Sequence, residues 1–209
     1  MSQLIRILQN IVSRKGSSKV LTFSVPHIFK ALQLLNSEKF VSRSKFCKEL
    51  HLGEGAIKTL ILHLKEAKMV NTTRSGTFLT SKGKKIAESL LSAIPKECKL
   101  KRCKIAQHNH NHAIILKNYS YVIKTGIEQR DFAILYGSME CITLLYKKNQ
   151  FVFPGEGLEY LHDDPLTKKK LENELCPEEG DVIIISSAND PFVAEISAKN
   201  SALWTLASS

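Results

Sequence analysis

The sequence predicts an α+β protein in two domains, and three observations carry that prediction. Net positive charge is confined to one half: residues 1–100 hold 18 Lys and Arg against six Asp and Glu, whereas residues 101–209 hold 12 against 14. Apolar residues in the basic half recur mostly at helical spacing, and in the second half they switch to short strand-like runs interleaved with helices. Each change of period is bounded by capping or turn-forming residues. A charge asymmetry of this size points to a polyanion-binding module joined to a module with another task. We place the domains at 1–98 and 99–209.

The totals exclude several classes. A hydrophobic fraction of 43 % with 24 % charged residues is ordinary globular composition. No run of about 18 apolar residues marks a membrane span. The opening MSQLIRILQNIVSRKG is too polar in its middle for a secretory signal. Cys47, Cys98, Cys103, Cys141 and Cys176 form an odd set without a C-x-x-C pair, which reads as reduced, mostly buried thiols. The expected location is cytoplasmic, with no membrane partner.

Within the basic half, Leu4, Ile5, Leu8, Ile11 and Val12 make an amphipathic helix over 3–13, followed by the polar break SRKGSSK. Its apolar stripe needs a partner, either its own domain or a second copy of the chain. A second helix begins near Val25, with Ser24 as cap and Pro26 in the first turn, and buries Ile28, Phe29, Leu32 and Leu35. Ser42 or Ser44 caps a short third helix that turns Phe46, Cys47 and Leu50 inward. HLG (51–53) breaks it, with Gly53 expected to supply a positive φ. The fourth helix, EGAIKTLILHLKEAK (54–68), buries Ile57, Leu60, Ile61 and Leu64 and turns Gly55, Lys58, Thr59, Leu62 and His63 outward. A threonine-rich hairpin turns at Ser75–Gly76, with Arg74 beside its tip. Thr80 then caps a closing helix that starts with Lys82, Lys84 and Lys85.

Helix, helix, tight turn, helix, hairpin and helix is the order of a winged helix-turn-helix. In that arrangement the outer face of the fourth helix enters the major groove and the wing reaches phosphate or minor groove. The expected ligand is double-stranded DNA, and the expected contacts are Ser44, Gly55, Lys58, Thr59, His63, Arg74, Lys82, Lys84 and Lys85. Lysines at a helix start oppose the macrodipole, which suggests a compensating partner such as a phosphate backbone. FLTSKGKKIAESL resembles the L-T-x-x-G segment that closes the wing in many winged-helix regulators.

Residues 96–104, KECKLKRCK, read as a basic connector. His108, His110 and His112 alternate beside Cys98 and Cys103, but the spacings match no common zinc pattern, so a solvated strand face explains them and no metal is expected. Farther on come a buried strand at 112–117, a helix over 126–137 and a hairpin turning at Lys148–Asn149. A helix capped by Asp164, a strand at 180–187 and a final helix capped by Asp190 complete the chain. These elements predict one sheet with helices on one face. No phosphate-binding loop, nucleophile elbow or metal-hydrolase spacing occurs, so neither an enzyme nor a cofactor is expected.

GIEQRDFAILYGSMECITLLYKKNQFVFPG, with GEGAIKTLILHLKEAKMV and GDVIIISSANDP, resembles a mainly archaeal family that joins an N-terminal winged helix to an uncharacterised C-terminal domain. That domain is similar to the GAD-type fold found inserted in certain tRNA-charging enzymes and amidotransferases. The resemblance implies a transcriptional regulator and supplies no ligand or catalytic residue. Ser138, Met139 and Glu140 stand where the family has small residues, and Asn149 where its hairpin prefers Gly.

Glu128, Gln129, Arg130 and Asp131 form the densest polar cluster of the second domain, with Glu128, Arg130 and Asp131 as its charged members. They either hold an anionic small-molecule effector or make a solvated helix face. The expected whole is a homodimeric DNA-binding regulator whose C-terminal domain dimerises or senses an effector. The GAD-like similarity leaves an RNA-associated or translation-linked adaptor as the second reading.

Overall fold

The computed structural model describes residues 1–13 and 21–208, so the SRKGSSK break lies almost wholly outside the described residues. The chain divides into two compact units that meet between Leu91 and Ser92. The first contains helices α1 (Ser2–Val12), α2 (Val25–Ser37), α3 (Arg43–Leu50) and α4 (Glu54–Glu66), a hairpin of β1 (Val70–Thr73) and β2 (Gly76–Leu79), and most of α5 (Ser81–Ala93). The stripe of α1 is covered: Ile5, Leu8 and Ile11 are buried, each contributing about 1.5–3 kcal/mol relative to exposure. The Ile11 carbonyl lies 2.6 Å from His63 Nδ1 on α4, and Phe23 stands edge-on to that imidazole.

Local chemistry sets the ends of these helices. Ser42 Oγ accepts from the Lys45 amide and caps α3. At the start of α2 the Ser24 amide donates to His27 Nδ1, whose ring also lies 2.8 Å from Ser24 Oγ. Burial, and then the nearby Lys30 ammonium, push the His27 imidazole down from its usual 6.5 to about 4. The unfolded chain therefore binds this proton near pH 6.5, before the folded chain does. Stability contributed by His27 is complete above about pH 6.5 and is lost as pH falls toward about 4. Urea titrations at pH 7 and 4.5 should show the native chain losing more stability on acidification than His27→Gln.

The α3–α4 turn departs from expectation. His51 adopts the left-handed conformation (φ 52°), while Gly53 is extended at φ −68° and serves as the N-cap of α4. In the hairpin, Thr73 pairs with Gly76, so the tip is Arg74–Ser75, one residue earlier than predicted. Gly76 (φ +133°) is needed there, because a Cβ would stand 2.8 Å from the Val41 carbonyl oxygen. Val41 bridges Thr77 through two 2.9 Å backbone bonds and adds a third rung to the small sheet.

The second unit is a five-stranded antiparallel sheet in the order β3-β4-β7-β5-β6, with β3 (Glu97–Leu100), β4 (His110–Leu116), β5 (Glu140–Lys147), β6 (Gln150–Val152) and β7 (Val182–Ala188). The basic connector expected at 96–104 is in fact occupied by β3, an edge strand, and a boundary at 98/99 would cut through it. Helices α6 (Ile127–Ile134) and α8 (Pro191–Ala207) pack on one face, and α7 (Pro165–Leu175) contacts β3 and β4. Leu171 and Leu175 of α7 share a core with Ala113, Ile115, Ile183 and Ile185. On the opposite parity, Ser186 bonds to Ser197 of α8. Helices therefore cover both faces of the sheet, not one, which is why β7 is buried at all seven positions.

The predicted caps and turn of this unit hold. Asp164 Oδ1 accepts from the Thr167 amide, and Asp190 Oδ1 from the amides of Phe192 and Val193. Lys148 and Asn149 both take positive φ in the β5–β6 turn, as a two-residue hairpin requires. No helix among the described residues is long and apolar enough to cross a membrane.

Candidate nucleic-acid interface

The outward face of α4 starts with two glycines that the fold does not require. A Cβ at Gly53 or Gly55 would meet nothing within 4 Å, and neither backbone needs positive φ. Glycine inside a helix costs roughly 0.5–1 kcal/mol against alanine. Gly55 thus opens the backbone of the first turn at some cost in stability, beside the exposed carboxylate of Glu54. The same face then presents Lys58, Leu62 (53 % exposed) and Lys65.

Between α3, α4 and β1 lies a groove of about 180 Å³ bordered by Arg43, Lys58, Leu62, Lys65 and Thr72. The Lys65 ammonium donates to Thr72 Oγ1 at 3.3 Å and ties the hairpin to α4. Three cations around an apolar floor make a surface for a polyanion that also offers apolar groups. Arg43 and Lys65 were not among the residues predicted from sequence. Arg43, a basic residue in the first helical turn, carried the same unfavourable dipole signal as the lysines of α5.

The predicted contacts are placed as follows. Lys58 lines this groove, and exposed Ser44 follows Arg43, its hydroxyl 3.0 Å from Ser42 Oγ. Gly55 is exposed one turn earlier, while half-buried Thr59 donates its hydroxyl proton to the Gly55 carbonyl. Arg74 is exposed at the hairpin tip. His63 does not belong to this surface: it is buried against Phe23 with its ring bonded to α1. Lys82, Lys84 and Lys85 are exposed on α5, but two have protein partners. The Lys82 ammonium donates to the Ala67 carbonyl at 2.8 Å, and Lys84 lies 3.8 Å from Glu88. Thus Lys82 answers the carboxyl end of α4, which removes the need for a phosphate to explain it.

In the second unit the predicted effector cluster is split by the turn of α6. Gln129 points inward and donates to Thr205 Oγ1, while Glu128, Arg130 and Asp131 stay exposed. Arg130 bonds to Asp131 at 3.3 Å, the arrangement of a solvated helix face. The histidine run is also divided. His110 is exposed, His108 lies 3.7 Å from Glu140, and His112 is buried with Nε2 3.1 Å from Glu97, not solvated as expected. No group of three or more His, Cys, Asp or Glu side chains suited to a metal occurs among the described residues.

Glu97 instead belongs to a buried charge cluster with His112 and with Lys199 of α8, whose ammonium also reaches Glu195 at 3.2 Å. Burial alone would raise the Glu97 carboxyl. The Lys199 ammonium and the hydrogen bonds from His112 and Lys199 outweigh it and hold the group well below the usual carboxylate range. Burial pushes the Cys141 thiol up to about 12 and the Cys98 thiol up to about 11, so neither is a ready nucleophile.

Residues 107–206 match the family model described as a domain of unknown function, DUF4443. Among solved structures, hypothetical protein PH0730 from Pyrococcus horikoshii OT3 is similar at 30 % sequence identity and a TM-score of 0.68. The likeness covers 86 % of this chain and 91 % of that one. The curated proteins contain no match.

Proposed function

The chain belongs to one family with that Pyrococcus protein, and from this premise we propose that it is a DNA-binding transcriptional regulator. In this reading the first unit is a winged helix-turn-helix and the second, GAD-like unit serves dimerisation or effector sensing. The observation that carries the proposal is the outward face of α4. Its start at Gly53 and Gly55 runs into the groove of Arg43, Lys58, Lys65 and apolar Leu62. Helix α4 lies in the major groove, Gly55 lets its first amides approach a phosphate, and Lys58 reaches a guanine edge or phosphate. Leu62 meets a thymine methyl, an apolar group that RNA lacking that methyl does not offer. Arg74 extends from the wing tip to the flanking backbone.

The set of DNA-facing residues is revised accordingly. Arg43 and Lys65 join Ser44, Gly55, Lys58, Thr59, Arg74, Lys84 and Lys85. His63 leaves it, and Lys82 acts within the protein. Lys58→Ala combined with Arg74→Ala is expected to weaken duplex binding about tenfold to hundredfold. It should also flatten the dependence of log affinity on log salt by about two, one for each phosphate no longer neutralised. Gel-shift titrations across salt concentrations measure both, and unchanged affinity would reject this docking mode. Competition between duplex DNA and a structured RNA tests the partner itself, since preference for RNA would favour a translation-linked adaptor.

Gly55→Ala offers a test in which two effects have opposite signs. It should leave the melting temperature unchanged or slightly raised, because alanine favours helix by roughly 0.5–1 kcal/mol and the space is open. It should nevertheless weaken DNA binding by holding the phosphate off the α4 amides.

A further inference from the structure

Within the second unit, a cavity of about 650 Å³ opens between β3, the loop that follows it and the first turns of α7. Its size is that of a small-molecule site, roughly 300–1,000 Å³. The loop after β3 carries Lys101, Arg102 and Lys104 on the cavity wall, and α7 adds Lys170. Lys170 lies 3.5 Å from Glu174, but no ion pair among the described residues engages the other three. Such a concentration of unpaired positive charge is self-repelling and gains from a multiply charged anion. The lining is apolar at Leu100, Cys103 and Leu166, the last with 82 % of its surface exposed.

Two carboxylates also line the cavity, and their roles differ. Asp164 is committed to the protein: it accepts from Thr167 Oγ1 at 2.8 Å, from the Thr167 amide, and from the Lys104 amide at 3.3 Å. The last bond fastens the basic loop to α7. Since Asp164 already takes the amide at the start of α7, the cations, not the helix dipole, carry the attraction for an anion. Asp163 is exposed and lines the same space as an acceptor.

We propose that this cavity binds a nucleoside diphosphate or triphosphate. The phosphates lie beside Lys101 and Lys104, where compact ammonium groups suit phosphate oxygens. The base lies against Leu100, Cys103 and Leu166, with the planar Arg102 guanidinium available to stack on it. Asp163 accepts from ribose hydroxyls, which gives a carboxylate a place in an otherwise cationic site. The predicted effector cluster at Arg130 lacks these features, so the site is moved from α6 to the β3–α7 cavity. The proposal concerns the second unit alone and does not depend on the first unit binding DNA.

Titration calorimetry of the full chain with ADP tests it, with pyrophosphate and adenosine as comparison probes and no DNA present. ADP should bind with a Kd of about 10–100 μM, and each comparison probe at least about tenfold more weakly. Lys101→Ala with Lys104→Ala should weaken ADP about tenfold at an unchanged melting temperature. If that pair alters melting, Arg102→Ala is the second variant, with the same loss expected. Asp163→Ala should weaken ADP while strengthening pyrophosphate, since it removes both an acceptor and a negative charge. No binding at about 1 mM ADP, equal binding of pyrophosphate and ADP, or indifference of ADP to the substitutions would overturn the proposal.

Discussion

Replacing Gly83 with alanine is expected to destabilise the chain by about 3 kcal/mol, at the upper end for insertion of a single methyl group. The reason is space. A Cβ at Gly83 would stand 1.9 Å from the Met69 carbonyl oxygen, 2.8 Å from its carbon and 3.1 Å from its Cα. All three are backbone atoms, so no side chain can swing away. The surrounding bonds restrict movement further. Thr80 donates its amide to Met69 and its hydroxyl to Lys68, the Gly83 amide donates back to Thr80 Oγ1, and Lys82 donates to Ala67. The start of α5 is thus fastened to the final carbonyls after α4, and Gly83 is where the two backbones meet. The melting temperature should fall by about 10–20 °C, the shift that such a destabilisation produces in a unit of this size. Gly55→Ala is the matching control, since its Cβ enters open space. If Gly83→Ala melted like that control, the close approach of α5 to Met69 would be wrong.

The same junction shows what can be read from sequence. Thr80 as a cap and glycine three residues later are local signals, and the segment resembles a winged-helix closure for that reason. Ser42, Asp164, Asp190 and the Lys148–Asn149 turn are legible likewise, because cap and turn chemistry acts over two or three residues. Partners distant in sequence are not legible. Helical periodicity places His63 on an outer face, but α1, 52 residues away, supplies the Ile11 carbonyl that draws it inward. Lys82 suggests a phosphate because its carbonyl partner lies 15 residues back in a turn of unknown direction. Strand β3 is hidden by its own charges. Cys98 and Leu100 alternate with Glu97 and Lys99, yet nothing nearby announces that Glu97 meets a lysine 102 residues later. Placement of α7 on the second face likewise depends on the topology of the sheet.

That Glu97–Lys199 pairing carries the second large prediction. Lys199 is fully buried, bound to Glu97 of the first strand of its unit and to Glu195 one turn earlier on α8, while His112 completes the cluster. Lys199→Met keeps most of the volume and removes the charge, leaving two carboxylates without their shared cation. Breaking a buried pair in this way costs about 3–5 kcal/mol. Glu97 retains some exposure, so about 3 kcal/mol is expected, measured by urea titration at pH 7. The pH dependence identifies the cause. In the native chain the folded Glu97 carboxyl lies below its usual 4.5, so its stabilisation is present above about pH 4.5 and is lost as pH falls below it. In Lys199→Met, burial acts on that carboxyl without the ammonium and raises it. Protonation then relieves the variant at a pH where the native chain still holds the ion pair, and the stability gap should narrow on acidification. Glu97→Gln in the Lys199→Met background should recover part of the loss at pH 7. An apolar defect from substituting methionine would predict a gap independent of pH and no such recovery. The cluster ties the first strand of the second unit to its last helix, and β3 leads directly into the basic loop that borders the proposed nucleotide cavity.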